Sequence, residues 1–154
     1  MMPKPTVIFV DDDGFYAMHW IERLRDRFEV EHYVDAGDAK KAILLSRQIS
    51  CLILDVMMPT PSSVPEDVTM GGLETGIWLL QEIADWITEN SIPAIIMTNR
   101  ELDLVQSAVD MINLPPGLVE VRQKLNTNRS RLLELVSDKV ARWGKSSRGS
   151  MPPT

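Results

Sequence analysis

Apolar residues along the chain occur either in short continuous runs or in longer stretches with helical spacing. The short runs predict five strands, over residues 6–10, 30–34, 49–56, 92–98 and 118–122. The longer stretches, where apolar residues recur every three or four positions, predict five helices, over residues 14–28, 39–48, 73–90, 100–113 and 128–143. Strict alternation of strand and helix predicts an α/β fold, a doubly wound five-stranded parallel sheet with helices on both faces.

Two elements carry further information. The second predicted strand contains Glu31, His32 and Tyr33, a polar pattern that suits the edge of a sheet. The third helix has an apolar stripe that we expect to face the core: Leu73, Ile77, Leu80, Ala84 and Ile87. Trp78, Leu79 and Trp86 fall outside that stripe, so either the segment 60–70 packs on them or they form a surface for a partner.

Composition places the chain among ordinary globular proteins, with 154 residues, 44% hydrophobic and 25% charged. This length predicts one domain, residues 5–143, followed by a flexible tail, residues 144–154. The apolar runs are far shorter than the roughly 18 residues that a membrane helix needs. One cysteine, Cys51, can form no internal disulfide, which fits a reducing compartment, and we expect the protein to be cytoplasmic.

Charge is unevenly distributed. The net charge of −6 divides into −12 over residues 1–121 and +6 over residues 122–154. The basic C-terminal part could contact nucleic acid, but neither interleaved aromatic residues nor a recognition motif accompanies it. A solvated or protein-facing helix is the better interpretation, and we do not expect nucleic acid as a partner.

The chemistry-bearing residues follow the ends of the predicted strands. Asp11, Asp12 and Asp13 follow the first strand, Asp55 ends the third, Thr98 ends the fourth, and Lys124 follows the fifth. Parallel strands bring their C-terminal ends to one edge of the sheet, so these side chains should meet there. Clustered carboxylates suit a hard cation such as Mg²⁺. A hydroxyl and an ammonium beside them suit a phosphoryl group, and an aspartate can act as its nucleophilic acceptor.

The same residues resemble a known family. Residues 7–13 (VIFVDDD), 52–59 (LILDVMMP) and 93–98 (PAIIMT), together with Lys124, are similar to the receiver domain of bacterial two-component response regulators. The resemblance covers residues 5–143 and implies a flavodoxin-like sheet with strand order 2-1-3-4-5. It implies a phosphoacceptor that catalyses only its own phosphorylation and dephosphorylation, rather than an enzyme with a free substrate.

The resemblance also implies a role for each matching residue. Asp55 is expected to accept the phosphoryl group, with Thr98 as the switch hydroxyl and Lys124 as the phosphate-binding lysine. Mg²⁺ is the expected cofactor. Its expected ligands are Asp12, Asp55 and the main-chain carbonyl of Met57, while Asp11 would hold a metal-bound water. Asp13 is expected to be secondary.

Three positions depart from the family pattern. Leu125 stands where a proline usually follows the lysine, which leaves the placement of Lys124 open. Val121 replaces an aromatic residue that often reports phosphorylation. Gly71 and Gly72 lie 16 and 17 residues after Asp55, farther from the expected phosphoacceptor than in the family pattern. This spacing predicts an insertion at residues 60–70.

The sequence is therefore compatible with three functions. The first is a phosphoacceptor module that takes phosphoryl from a histidine kinase or histidine phosphotransfer protein and switches its binding to a downstream protein, with homodimerisation possible. The second is a degenerate receiver that binds partners independently of phosphorylation. The third, a Mg²⁺-dependent phosphohydrolase, is disfavoured because Met57 stands where such enzymes carry a second acid.

Overall fold

The computed structural model describes residues 3–46 and 48–144, and these residues form five strands alternating with five α-helices. The strands are β1 (Thr6–Val10), β2 (Glu29–Tyr33), β3 (Ile49–Asp55), β4 (Ala94–Thr98) and β5 (Val119–Gln123). The helices are α1 (Gly14–Leu24), α2 (Ala36–Leu45), α3 (Thr75–Glu89), α4 (Leu102–Asp110) and α5 (Arg129–Lys139). A π-helical turn, Val140–Gly144, continues α5. The predicted tail begins at residue 144, and from residue 145 onward it lies outside the described residues.

The sheet is entirely parallel and has the order β2-β1-β3-β4-β5. The fold class and the strand order 2-1-3-4-5 are thus confirmed. The polar strand β2 lies at one edge, as its composition predicts. β3 occupies the centre, and all seven of its residues are buried, which explains its continuous apolar sequence.

Two hydrophobic cores cover the two faces of this sheet. Alternate residues of β3 point to opposite sides, so that Leu52 and Leu54 join one core while Cys51 and Ile53 join the other. The first core is closed by α2, α3 and α4, and the second by α1 and α5. The sheet therefore serves as a rigid central layer whose C-terminal edge stays open for the site.

Several element boundaries differ from the predicted ones. The second helix begins at Ala36 rather than at the predicted residue 39, and it is capped by the Asp35 side chain, which accepts a hydrogen bond from the Asp38 N–H. α3 begins at Thr75, and Leu73 is 43% exposed rather than part of the core stripe. Both differences arise at helix starts, where local backbone geometry rather than apolar spacing sets the boundary.

Among the described residues, no helix combines the length and the apolar composition needed to cross a bilayer.

Candidate functional site

The predicted chemistry-bearing residues lie along the C-terminal edge of the sheet. Asp11 follows β1, Asp55 ends β3, Thr98 ends β4, and Lys124 follows β5. These four strands are consecutive neighbours in the sheet, and Asp55 pairs with Met97, the residue before Thr98. The topology alone therefore brings residues from distant parts of the sequence to one edge.

Three carboxylates form the centre of the site. Asp11, Asp12 and Asp55 each offer one oxygen, and these oxygens all lie within 4.8 Å of one another. Asp11 is 1% exposed and Asp55 7% exposed, whereas Asp12 lies at the solvent-exposed rim. Since oxygen donors of this charge are the ligands that Mg²⁺ prefers, the donor set fits this cation.

Asp13 has a different role from its neighbours. Its Oδ1 accepts a hydrogen bond of 3.0 Å from the Tyr16 N–H and so caps the start of α1. Its own N–H donates to Asp11 Oδ1 at 2.9 Å, which helps to hold that carboxylate in place. Asp13 therefore contributes by building the turn that carries the cluster.

Lys124 reaches the carboxylates directly. Its Nζ lies 3.1 Å from Asp11 Oδ2 and 3.1 Å from Asp55 Oδ1. The residue is buried, whereas the following Leu125 is 86% exposed. Burial alone would lower the pKa of the Lys124 ammonium, but the charges of Asp55 and Asp11 outweigh this effect and raise it. The lysine thus meets the cluster although leucine replaces the expected proline, and no described peptide bond is cis.

One ammonium does not balance three carboxylates. Burial raises the pKa of the Asp55 carboxyl to about 7, and repulsion from Asp11 adds to this shift, while Lys124 and the Val56 N–H oppose it. Burial and the charge of Asp11 also raise the pKa of Asp12. The cluster therefore carries an excess of negative charge, which a divalent cation would offset.

Thr98 is fully buried at the end of β4, and its hydroxyl oxygen accepts a hydrogen bond of 2.9 Å from the Arg100 N–H. The hydroxyl therefore closes a turn between β4 and α4 instead of capping the helix, because Glu101 occupies the N-cap position. The Arg100 guanidinium donates to the Leu73 carbonyl at 3.3 Å and lies 3.6 Å from Glu74. Thr98 is thereby linked to the segment before α3.

Segment 60–70 folds into an ordered loop beside the site. Met57, whose carbonyl is an expected metal ligand, lies two residues after the end of β3, on the path into this loop. Hydrogen bonds join Thr60 to both Glu66 and Thr69, and Glu66–Thr69 forms a short 3₁₀ helix. The Thr75 hydroxyl donates to the Met58 carbonyl at 2.6 Å, which ties the two ends of the loop together. Whether this loop is an insertion relative to receiver domains stays a prediction.

Trp78 is buried although it lies outside the predicted stripe. Trp78 is 8% exposed, and Val64 packs against the core cluster that contains it. Trp78 also lines a cleft of about 530 Å³ between the loop, α2 and α3. Leu79 is fully buried in the same core. Trp78 and Leu79 are therefore core residues, and at the cleft the Lys40 ammonium lies 5.7 Å from the centroid of the Trp78 ring.

Two contacts of the site are not predicted by any pattern in the sequence. His32 on β2 donates from Nε2 to the Asp11 carbonyl at 2.8 Å, and the ring of Tyr16 lies 4.9 Å from Lys124 Nζ. Both contacts join residues of different elements, and neither belongs to a motif. Cys51 is excluded as a nucleophile, because complete burial raises the pKa of its thiol to about 12.

Comparisons with known proteins agree on the fold. No family model and no curated protein matches the chain. Among solved structures, a response regulator receiver domain protein from Methanospirillum hungatei JF-1 is similar at 18% identity and a TM-score of 0.72, over 92% of this chain and 98% of that one. The receiver domain of a Francisella response regulator is similar at 18% identity and a TM-score of 0.68, over 90% and 98%. A response regulator receiver protein from Sinorhizobium medicae WSM419 is similar at 15% identity and a TM-score of 0.68, over 90% and 95%.

At these identities the likeness concerns the fold alone. The chain therefore has the fold of a response regulator receiver domain, with a cluster of three carboxylates and a lysine at the C-terminal edge of its sheet.

Proposed function

We propose that the chain is a phosphoacceptor module of a two-component or phosphorelay system, with Asp55 as the acceptor. The observation that carries this proposal is the contact of Lys124 Nζ with both Asp11 and Asp55 at 3.1 Å, inside a cluster of three carboxylates. Carboxylates alone would suit many cation sites. An ammonium held at the acceptor adds a group that can receive an anionic phosphoryl oxygen.

The proposed step transfers a phosphoryl group from the phosphohistidine of a kinase or phosphotransfer protein. The phosphorus–nitrogen bond of the donor breaks, and a bond forms between phosphorus and an Asp55 carboxylate oxygen. Asp55 Oδ1 accepts the Val56 N–H at 2.9 Å and faces Lys124, so we assign Oδ2 as the attacking oxygen. The donor imidazole leaves with the electron pair of the broken bond and takes up a proton from solvent.

The residues around Asp55 would position and stabilise this reaction. Asp11, Asp12 and Asp55 would hold Mg²⁺, which when bound neutralises charge on the phosphoryl oxygens. Lys124 would pair with a phosphoryl oxygen, and the Thr98 hydroxyl would donate to another after releasing the Arg100 N–H. Arg100 also contacts Leu73 and Glu74, so movement of Arg100 would shift the segment before α3. That shift would alter a surface to which a downstream protein binds.

The test is phosphorylation of the full chain by acetyl phosphate and Mg²⁺, followed by mass spectrometry of the intact protein. We expect the addition of one phosphate, which Asp55→Asn abolishes and which chelation of Mg²⁺ prevents. Asp85→Asn, an exposed carboxylate on α3, is the matched control and should be labelled like the wild type.

Two results would overturn the proposal. Labelling that persists in Asp55→Asn would place the acceptor elsewhere. A folded wild-type protein that takes up no phosphate from acetyl phosphate or from a phosphorylated histidine kinase would favour the phosphorylation-independent binding module. Repeated turnover of a phosphate ester would instead favour the hydrolase.

A further inference from the structure

We propose that the aromatic ring of Tyr16 is a positioning residue for Lys124 and holds its ammonium against Asp55 and Asp11. The inference rests on the proposed phosphoacceptor function, because it concerns how one side chain of that site is kept in place. Tyr16 itself would touch neither the phosphoryl group nor the metal. It would act through the lysine.

The contact has the geometry of a cation–π interaction. Lys124 Nζ lies 4.9 Å from the centroid of the Tyr16 ring, within the roughly 6 Å over which a ring face attracts an ammonium. The same Nζ lies 3.1 Å from each of two buried carboxylates. The ammonium is thus held by Asp11, Asp55 and the ring, and the ring is the one uncharged member of the three.

Tyr16 is itself held firmly. The Asp13 carboxylate accepts its N–H and fixes the first turn of α1, where Tyr16 lies. One turn further along the helix, Trp20 contacts the Tyr16 ring edge-to-face, with centroids 5.9 Å apart and planes inclined by 63°. Trp20 is 4% exposed and belongs to the core of α1 and α5. The ring therefore has a rigid support that extends into the core.

The backbone after β5 offers Lys124 less support. Lys124–Asn126 is a single 3₁₀ turn, and the Leu125 side chain within it is 86% exposed. The Asn126 side-chain amide donates to the Gln123 side-chain carbonyl, and the Thr127 hydroxyl donates to the Gln123 main-chain carbonyl, but neither bond involves the lysine side chain. A lysine has a flexible four-carbon stem, so the position of its ammonium depends on the groups that contact it.

This arrangement predicts a specific defect when the ring is removed. Asp11 and Asp55 would both be drawn toward Mg²⁺ during phosphorylation, which weakens their hold on the ammonium. The ring does not bind the metal, so it keeps attracting the lysine throughout. Without the ring, the ammonium would spend less time beside Asp55, the position from which it would pair with the incoming phosphoryl oxygen.

The experiment compares Tyr16→Leu with Tyr16→Phe in the full chain, using acetyl phosphate and Mg²⁺. We expect the phosphorylation rate constant of Tyr16→Leu to fall by roughly threefold to tenfold, the range that the loss of a partly buried cation–π contact gives. Tyr16→Phe keeps the ring and should retain the wild-type rate. Phe15→Leu is the matched control, because the neighbouring Phe15 is 94% exposed, and it should also retain that rate.

Two further measurements separate positioning from general damage. Mg²⁺ affinity, followed by tryptophan fluorescence, should not weaken in Tyr16→Leu, whereas a disordered site would weaken it. In a Lys124→Ala background, Tyr16→Leu should cause no additional loss of rate, because the ring would have no ammonium to hold.

The outcomes distinguish this inference from the proposed function. If the wild type is not labelled on Asp55, the proposed function fails first. If the wild type is labelled and Tyr16→Leu reacts at the same rate, the positioning role is overturned. An equal loss in Tyr16→Phe would assign the effect to the hydroxyl, and additive losses with Lys124→Ala would assign it to contacts other than the lysine; either result overturns the inference.

Discussion

Asp55, the proposed phosphoryl acceptor, is an ionisable residue in a buried position. The residue is 7% exposed and its carboxylate lies beside Asp11, with one lysine as the nearest compensating charge. Desolvation and repulsion make its ionised form costly in the absence of a cation, which is why the pKa is raised to about 7. The proposed acceptor is therefore also a residue that destabilises the metal-free fold.

This cost predicts a pH-dependent gain in stability for Asp55→Asn. The ordinary carboxyl pKa is 3.8 and the folded one about 7, so between these values the folded protein binds the proton more tightly than the unfolded chain. The free energy of unfolding of the wild type should fall as pH rises through this window, whereas asparagine does not titrate. Asp55→Asn should thus exceed the wild type by a few kcal/mol above pH 7 and by little near pH 4.

Urea unfolding without divalent cations at several pH values measures this difference, with Asp85→Asn as the exposed control. A stability difference between Asp55→Asn and the wild type that is constant with pH would contradict the prediction. Added Mg²⁺ should reduce the difference above pH 7, because the cation stabilises the ionised carboxylate.

At the scale of elements, the start of α3 docks directly on the end of β3. The Gly76 N–H donates to the Val56 carbonyl at 2.9 Å. A Cβ at Gly76 would overlap the Asp55 carbonyl oxygen and the Cα of Val56, both of which are backbone atoms that cannot rotate away. This glycine permits a close approach of helix and strand at Asp55 itself.

Gly76→Ala should therefore destabilise the protein by about 3 kcal/mol, the upper part of the range for overpacking. It should also lower phosphorylation of Asp55, because the strand end must move. Gly14→Ala is the matched control, since its Cβ would meet only His32 at 3.8 Å, an ordinary contact. We expect a change within about 0.5 kcal/mol there. Equal free energies of unfolding for the two variants would contradict this account of α3.

At the scale of the whole molecule, one sheet separates two hydrophobic cores and contributes side chains to both. Ile83 on α3 is fully buried in the core on one face, and Leu132 on α5 is fully buried in the core on the other. Strands such as β3 contribute side chains to both cores. Loss of packing on either face should therefore weaken the sheet that supports the other.

Ile83→Ala and Leu132→Ala should each cost roughly 2–5 kcal/mol, the range for truncating a buried aliphatic side chain. Both should shift a single unfolding transition in urea, seen at the same midpoint by circular dichroism and by tryptophan fluorescence. Separate transitions for the two probes would show that the faces unfold independently.

Apolar periodicity by itself determined the fold class and the number and order of elements, because alternating buried strands and amphipathic helices have few ways to cover both sides of a sheet. The sequence also predicted the site, since residues after parallel strands must meet at one edge. Asp11, Asp12, Asp55 and Lys124 lie together as those positions require. The strand order came from the resemblance to receiver domains, and the structure confirms it.

Only the tertiary structure decided which side chains contact each other across elements. The Tyr16 ring beside Lys124, the link from Thr98 through Arg100 to Leu73, and the packing around Trp78 each depend on the rotation of a helix or the path of a loop. Periodicity says which face of an element is buried but not which neighbour that face meets. Helix starts such as Ala36 depend on local capping bonds, which apolar spacing does not encode. The sequence therefore determined where the chemistry lies, and the folded chain determined what holds it in place.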